Sequence, residues 1–153
     1  MQLAGQIRNF GNSEGVGLSR KNILVVDDEL LIRDLLYDFF SEKDWMVSVH
    51  ESASKALEAM RGRKFDIALI DLKMPEIDGI SLVKKIRDYD ACLPVVIMTA
   101  FPSVESAIEA LRLRVEDYII KPFNINKLFK SLSEIAEQKH AQVEPVRSED
   151  VQF

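Results

Sequence analysis

The chain has a single cysteine, Cys92, among its 153 residues. One thiol cannot close an intrachain disulfide, so the fold must stand on its own core, and the count fits a reducing cytoplasm. An excess of basic charge is also missing. Twenty Lys and Arg face twenty-five Asp and Glu, for a formal net charge of −5 and a pI near 5.1. That balance argues against direct nucleic-acid binding, which needs a basic face. No apolar run approaches the roughly 20 residues of a membrane span. The first ten residues lack the basic start and apolar block of a secretory signal. No internal repeat of solenoid period is present. What remains is 47% hydrophobic and 29% charged residues, a globular balance in a chain long enough for one well-buried domain. The expectation is a single soluble domain in the cytoplasm, not inserted in a membrane.

The pattern divides the chain into three parts. Residues 1–20 carry Gly5, Gly11, Gly15 and Gly17 among polar neighbours with no period, and suggest a flexible leader. Residues 140–153 are polar and acidic around Pro145, and suggest a tail or the start of a linker. Residues 21–139 are regular. Short continuous apolar runs at Asn22–Asp27, Val47–His50, Ile67–Leu72, Val95–Thr99 and Tyr118–Ile120 have the form of strands buried on both faces. Between them lie stretches with helical spacing. Glu29–Phe40 has Ile32, Leu35, Leu36, Phe39 and Phe40 at helical spacing. Ala53–Met60 is capped by Ser52 and stopped by Gly62, and Gly79–Tyr89 follows strand three. A helix capped by Ser103 runs to Leu113 with Val104, Ala107, Ile108 and Leu111 on one face. The last runs from about Asn124 to Lys139. Five strands alternating with five helices predict an α/β fold, a doubly wound five-stranded parallel sheet, (βα)5. In such folds the working groups sit at the carboxyl ends of the strands, where the strand order switches direction.

Those ends are where the polar residues fall. Asp27 and Asp28 close strand one, Asp71 follows strand three, Thr99 ends strand four and Lys121 follows strand five. Parallel strands bring all five to one edge of the sheet. Three carboxylates held together repel one another and call for a cation. Mg²⁺ is the natural candidate, since it takes one or two carboxylates, several waters and a phosphate. Ca²⁺ would gather more oxygens, and Zn²⁺ would want Cys or His, whereas His50 and His140 lie away from the cluster in sequence. Lys121 and Thr99 suit an arriving phosphate as cation and hydroxyl donor. A carboxylate can also attack phosphorus and form an aspartyl-phosphate.

These residues carry a resemblance. Asp27-Asp28, the stretch Asp71-Leu72-Lys73-Met74-Pro75-Glu76-Ile77-Asp78-Gly79, Thr99-Ala100 and Asp117 through Phe123 together, in this order, resemble the response-regulator receiver domain of bacterial two-component signalling. The likeness covers about Lys21 to Lys139 and implies the flavodoxin-like receiver fold. It implies that Asp71 is the phosphoacceptor. It implies that Asp28, Asp71 and the backbone carbonyl of Lys73 bind Mg²⁺ directly and that Asp27 does so through water. Thr99 becomes the switch hydroxyl, Tyr118 the aromatic that follows it, and Lys121 the phosphate-binding lysine, joined to Pro122 by a cis bond. The implied partners are a histidine kinase or histidine phosphotransfer protein as donor, and a downstream effector, an output domain or a second protomer as reader of the α4–β5–α5 face. A free-standing receiver and the front end of a longer transcriptional regulator both fit. The sequence departs from the family before strand five. A small glycine-containing turn is usual there, and this chain has Leu113-Arg114-Val115-Glu116.

Three other readings compete with this one. A Mg²⁺-dependent phosphatase using an aspartyl-phosphate usually has a second Asp two residues after the nucleophile, where this chain has Lys73. A flavin-binding module would want a phosphate-cradling loop after strand one, where this chain has three acids in a row. An interaction module that takes no phosphate fits less well, because the whole constellation is present. Any one of the aspartates alone would be an ordinary turn residue. Tyr118 alone would be a half-buried strand tyrosine, and Cys92 an inert small hydrophobe. The expectation is a phosphoacceptor signalling domain and not a turnover enzyme.

Overall fold

The computed structural model describes residues 19–143, with side chains as far as Lys139. Residues 1–18 of the expected leader and 144–153 of the expected tail lie outside the described residues. The elements alternate as β1 (Asn22–Val26), α1 (Leu30–Glu42), β2 (Met46–His50), α2 (Ala53–Gly62), β3 (Ile67–Asp71), α3 (Gly79–Tyr89), β4 (Val95–Thr99), α4 (Val104–Arg112), β5 (Asp117–Ile120) and α5 (Ile125–Val143). They form one parallel sheet in the order β2-β1-β3-β4-β5. The expected α/β fold is the observed one.

The side chains explain the boundaries. The Ser52, Asp78 and Ser103 side chains accept hydrogen bonds from Lys55 N, Ser81 N and Ser106 N and start α2, α3 and α4. Gly62, expected to stop α2, is instead its last helical residue, and the break comes at the extended Arg63. Helix α5 continues four residues beyond the expected Lys139. Gly79 is required by a close approach. A Cβ there would collide with the carbonyl oxygen of Asp71 and stand 2.7 Å from Leu72 Cα, both of them backbone. Helix α3 can therefore begin tight against the end of β3.

The core has two halves, one on each face of the sheet. Leu24, Val26, Ile70 and Ile97 point toward α2, α3 and α4, with Met60, Leu82 and Ile86. Ile23, Val25, Leu69 and Met98 point toward α1 and α5, with Phe40, Trp45, Leu128 and Leu132. Adjacent strand residues alternate between these halves, which is why the central strands are continuously apolar. On the second side Phe39, Phe40, Trp45 and Phe129 pack edge to face, with centroids 5.1–6.1 Å apart.

Two helices leave part of their apolar stripe uncovered. Leu35 shares the helical stripe but is 45% exposed; Leu36 and Phe40 are the fully buried residues of α1. In α4 the stripe of Val104, Ile108 and Leu111 points to solvent at 73%, 44% and 72% exposure, and Ala110 is the buried residue. The periodicity was real, but the small residue is the one that lets α4 lie close to the sheet.

Candidate functional site

Three polar or charged residues are buried among the described residues: Asp27, Asp71 and Thr99. All three are at the carboxyl edge of the sheet. Asp27 follows the last residue of β1, and Asp71 and Thr99 end β3 and β4. Strand β1 leads outward to β2, and the chain then crosses back to β3 on its other side. The crevice between β1 and β3 is thus the switch point, and Asp27 and Asp71 flank it.

Carboxylate oxygens of Asp27, Asp28, Glu29 and Asp71 all lie within 4.8 Å of one another. Lys121 enters this cluster from the end of β5. Its Nζ donates to Asp27 Oδ2 at 2.7 Å and Glu29 Oε1 at 3.2 Å, and stands 3.5 Å from Asp71 Oδ2. Backbone groups order the acids further. Asp27 Oδ1 accepts from Glu29 N at 2.8 Å, and Asp71 Oδ1 from Lys73 N at 3.3 Å. Arg33 reaches back from α1 and donates to the Asp27 carbonyl at 2.8 Å. The Lys121-Pro122 bond is cis.

One ammonium among four carboxylates leaves the site short of positive charge. Burial, with the Asp27 carboxylate beside it, pushes Asp71 up to about 7. Burial also raises Asp27, against the opposing hydrogen bond from Lys121. For Lys121, burial favours the neutral amine, but the Asp27 hydrogen bond and the surrounding carboxylates outweigh it and raise the ammonium above its usual value. The donor set is all oxygen, crowded and under-neutralised. It fits a hard divalent cation such as Mg²⁺.

The mouth is a cavity of about 210 Å³ lined by Asp28, Glu29, Asp71, Lys73, Ala100, Phe101 and Lys121. Its rim is a cation–π contact: Lys73 Nζ lies 4.3 Å from the centroid of the Phe101 ring. Thr99 Oγ1 accepts from Phe101 N at 3.0 Å, so its hydroxyl proton is available to donate elsewhere. Further out, the Tyr118 hydroxyl meets Ser106 Oγ at 2.7 Å, tying β5 to the start of α4.

The structure therefore brings Asp27, Asp28, Asp71 and Lys121 into one cluster, with the Lys73 backbone and Thr99 beside it. Tyr118 stands apart, half-buried against α4. Sequence reasoning missed three participants. Glu29, next to the two aspartates, carried a signal in its charge and position. Phe101 and Ser106 carried none, because their partners are 28 and 12 residues away. The unusual Leu113–Glu116 turn is also explained. Arg114 takes the left-handed φ of 56° that glycine would supply. Arg87, from α3, donates to the carbonyls of Leu113, Leu93 and Arg114 at 2.8, 2.5 and 3.2 Å and clamps the turn.

Comparison with known proteins agrees with this geometry. The family model described as the response regulator receiver domain matches residues 23–133. The transcriptional regulatory protein ZraR of Klebsiella oxytoca is 38% identical over 125 residues, which cover 82% of this chain and 28% of that protein. The regulatory protein AtoC of Escherichia coli (strain K12) is 39% identical over 106 residues, covering 69% and 23%. The chain thus spans about a quarter of these curated relatives. Among solved structures, a CheY-like response regulator receiver domain protein from Methanospirillum hungatei superposes with a TM-score of 0.79 at 26% identity, covering 81% of this chain and 99% of that one.

Proposed function

The chain belongs to the response regulator receiver domain family, and from that premise we propose that Asp71 is the residue that takes up the phosphoryl group. It is a signalling domain of the two-component type. The observation that carries the assignment is the Asp71 carboxylate itself. It ends a central strand, is nearly buried, stands 3.5 Å from the Lys121 ammonium and shares its site with three other carboxylates.

The donor is the phosphohistidine of a histidine kinase or a phosphotransfer protein. An Asp71 carboxylate oxygen attacks phosphorus, the phosphorus–nitrogen bond to the donor histidine breaks, and the imidazole leaves with the electron pair and takes up a proton. The attacking oxygen must be deprotonated, and the carboxyl crowding that raises Asp71 opposes this. Asp28, Asp71 and the Lys73 carbonyl would hold Mg²⁺, and Asp27 would act through a water. Bound there, the cation would lower the Asp71 pKa and offset charge on the transferring phosphoryl group. Lys121 is placed to turn from Asp27 toward a phosphoryl oxygen, and the Thr99 hydroxyl to donate to another. Tyr118 then leaves Ser106 and changes its burial, and the surface of α4, β5 and α5 changes with it. The exposed Phe101, Val104, Ile108, Leu111 and Ile120 make that surface suited to a downstream effector, an output domain or a second protomer. Residues 21–139 form the receiver, with a flexible leader at 1–20 and a tail or the start of a linker at 140–153. It works in the cytoplasm as the input domain of a transcriptional regulator. It takes and loses its phosphoryl group without being a turnover enzyme.

The test is intact-protein mass spectrometry after incubation with Mg²⁺ and acetyl phosphate. One added phosphoryl group on the natural chain, absent from Asp71→Asn and absent without Mg²⁺, is the expected outcome. An adduct that persists in Asp71→Asn would reject the assignment.

A further inference from the structure

The opposite edge of the sheet has a hollow that the phosphoryl chemistry does not use. It has a volume of about 730 Å³ and lies between the end of α2, the end of α3 and the inner side of α5, by the starts of β3 and β4. Its charged lining is Arg61, Arg63, Lys64 and Lys139 against one acid, Asp90. This stands out in a chain of net charge −5. Asp90 offsets only one of the four, and its Oδ1 also accepts from Cys92 N and Leu93 N at 2.9 and 3.1 Å. None of the four cations forms an ion pair with a carboxylate among the described residues. The hollow therefore carries an excess of positive charge that favours an anion.

Two of the cations are already positioned. The Arg63 guanidinium lies 5.2 Å from the Phe65 ring centroid and donates to Asn22 Oδ1 at 3.4 Å, while Lys139 Nζ reaches the Phe65 carbonyl at 3.5 Å. Buried Met60, Phe65 and Leu93 make an apolar floor. Tyr89, 62% exposed, offers an unstacked ring on the wall.

We propose that this hollow binds a nucleotide carrying two or more phosphates, its phosphates on Arg61, Arg63, Lys64 and Lys139 and its base against Tyr89. Guanidinium forks match phosphate oxygens in pairs, and lysine adds a point charge. The volume falls in the range of small-ligand sites, about 300–1,000 Å³. An acidic peptide would answer the charge but leaves the floor and the Tyr89 ring without a role. The site is a strand's length from Asp71, so its occupancy is separate from phosphoryl uptake.

Isothermal titration calorimetry on the 153-residue chain, in EDTA so that no metal links nucleotide to the aspartates, tests this with ATP, GTP, AMP, inorganic tripolyphosphate and an octaglutamate peptide. ATP or GTP is expected to bind one to one, with AMP and tripolyphosphate at least tenfold weaker. Combined Arg61→Ser, Arg63→Ser and Lys64→Ser is expected to weaken binding at least tenfold, Tyr89→Ala about fivefold, and Asp71→Asn not at all. Arg61→Ser with Lys64→Ser alone leaves the Arg63 stack on Phe65 intact and guards against misfolding; its melting temperature should match that of the natural chain. No nucleotide binding, equal binding of tripolyphosphate, tighter binding of octaglutamate, or affinity that survives the triple substitution would each overturn the proposal.

Discussion

Strands β3 and β4 are almost unbroken apolar runs, whereas α4 and β5 mix apolar residues with Glu105, Glu109, Arg112 and Asp117, and the two regions are packed very differently. Every residue of β3 and β4 is buried. Strand β5 buries none of its four residues fully, and α4 buries only Ala110. Asp71, the proposed phosphoacceptor, and Thr99, the proposed switch hydroxyl, stand on the first pair, while Tyr118 stands on the second. The groups proposed for the chemistry are thus held by the most deeply buried strands of the fold. The surface proposed to change shape lies at the sheet edge, where few contacts must be broken to move it.

The contrast breaks first if equal truncations cost the same on both sides. Ile70→Ala should destabilise by about 2–5 kcal/mol, since a fully buried side chain leaves a cavity. Leu111→Ala should change stability by less than about 0.5 kcal/mol. Urea denaturation of the two variants measures both, and similar losses would erase the distinction.

The buried side also carries an electrostatic cost that the α4 side lacks. The folded Asp71 pKa is about 7, above its ordinary 3.8. The native state therefore holds this proton more tightly than the unfolded chain does. Below about pH 4 both states are protonated and this contribution to stability is fully present; it is lost as pH rises through 7. In metal-free buffer the melting temperature should fall across that window, and the fall should be smaller in Asp71→Asn. Adding Mg²⁺ should raise the melting temperature more at pH 8 than at pH 5, because the cation competes with the proton. A melting temperature that rises from pH 5 to 8 equally in both proteins would contradict the assignment of the shift to Asp71.

The link between the two regions gives a smaller effect. Ser106→Ala removes the hydroxyl that meets Tyr118 at 2.7 Å and should cost about 1 kcal/mol. Its sharper readout is the Tyr118 ring resonance, which should move toward its position in the beryllofluoride-treated natural chain; an unmoved resonance would separate Ser106 from the switch. Smallest is Arg114→Gly. It relieves a left-handed residue, which costs about 1–2 kcal/mol, but loosens the unfolded chain by somewhat less. A net gain of up to about 1 kcal/mol is expected. A loss would mean that the Arg114 side chain contributes more than its backbone strain removes.

Much of this was legible in the residues. The buried strands announced themselves as unbroken apolar runs, and Ser52 and Ser103 marked their helix starts through their capping oxygens. Asp71, Thr99 and Lys121 could be picked out because each polar residue directly follows such a run. The inner faces of α1 and α4 were not legible. Leu35, Val104, Ile108 and Leu111 have helical spacing, but a period reports an apolar stripe and not whether a neighbour covers it. The partner of Lys121 was not legible either: in the structure it is bound closest to Asp27, at 2.7 Å, and not to Asp71.

By itself, the sequence determined the alternation of strands and helices and the parallel sheet. It also determined the polar residues gathered at one edge, because parallel strands all end on the same side and the chain order of those residues is that of the strands. Only the tertiary structure decided which helix faces are covered, how Glu29 and Lys121 share the aspartates, and that Arg61, Arg63, Lys64 and Lys139 surround one hollow. These depend on strand order and on how closely each helix approaches the sheet. Both are set by side chains far apart in the chain, such as Gly79 against the backbone of Asp71 and Ala110 beneath α4.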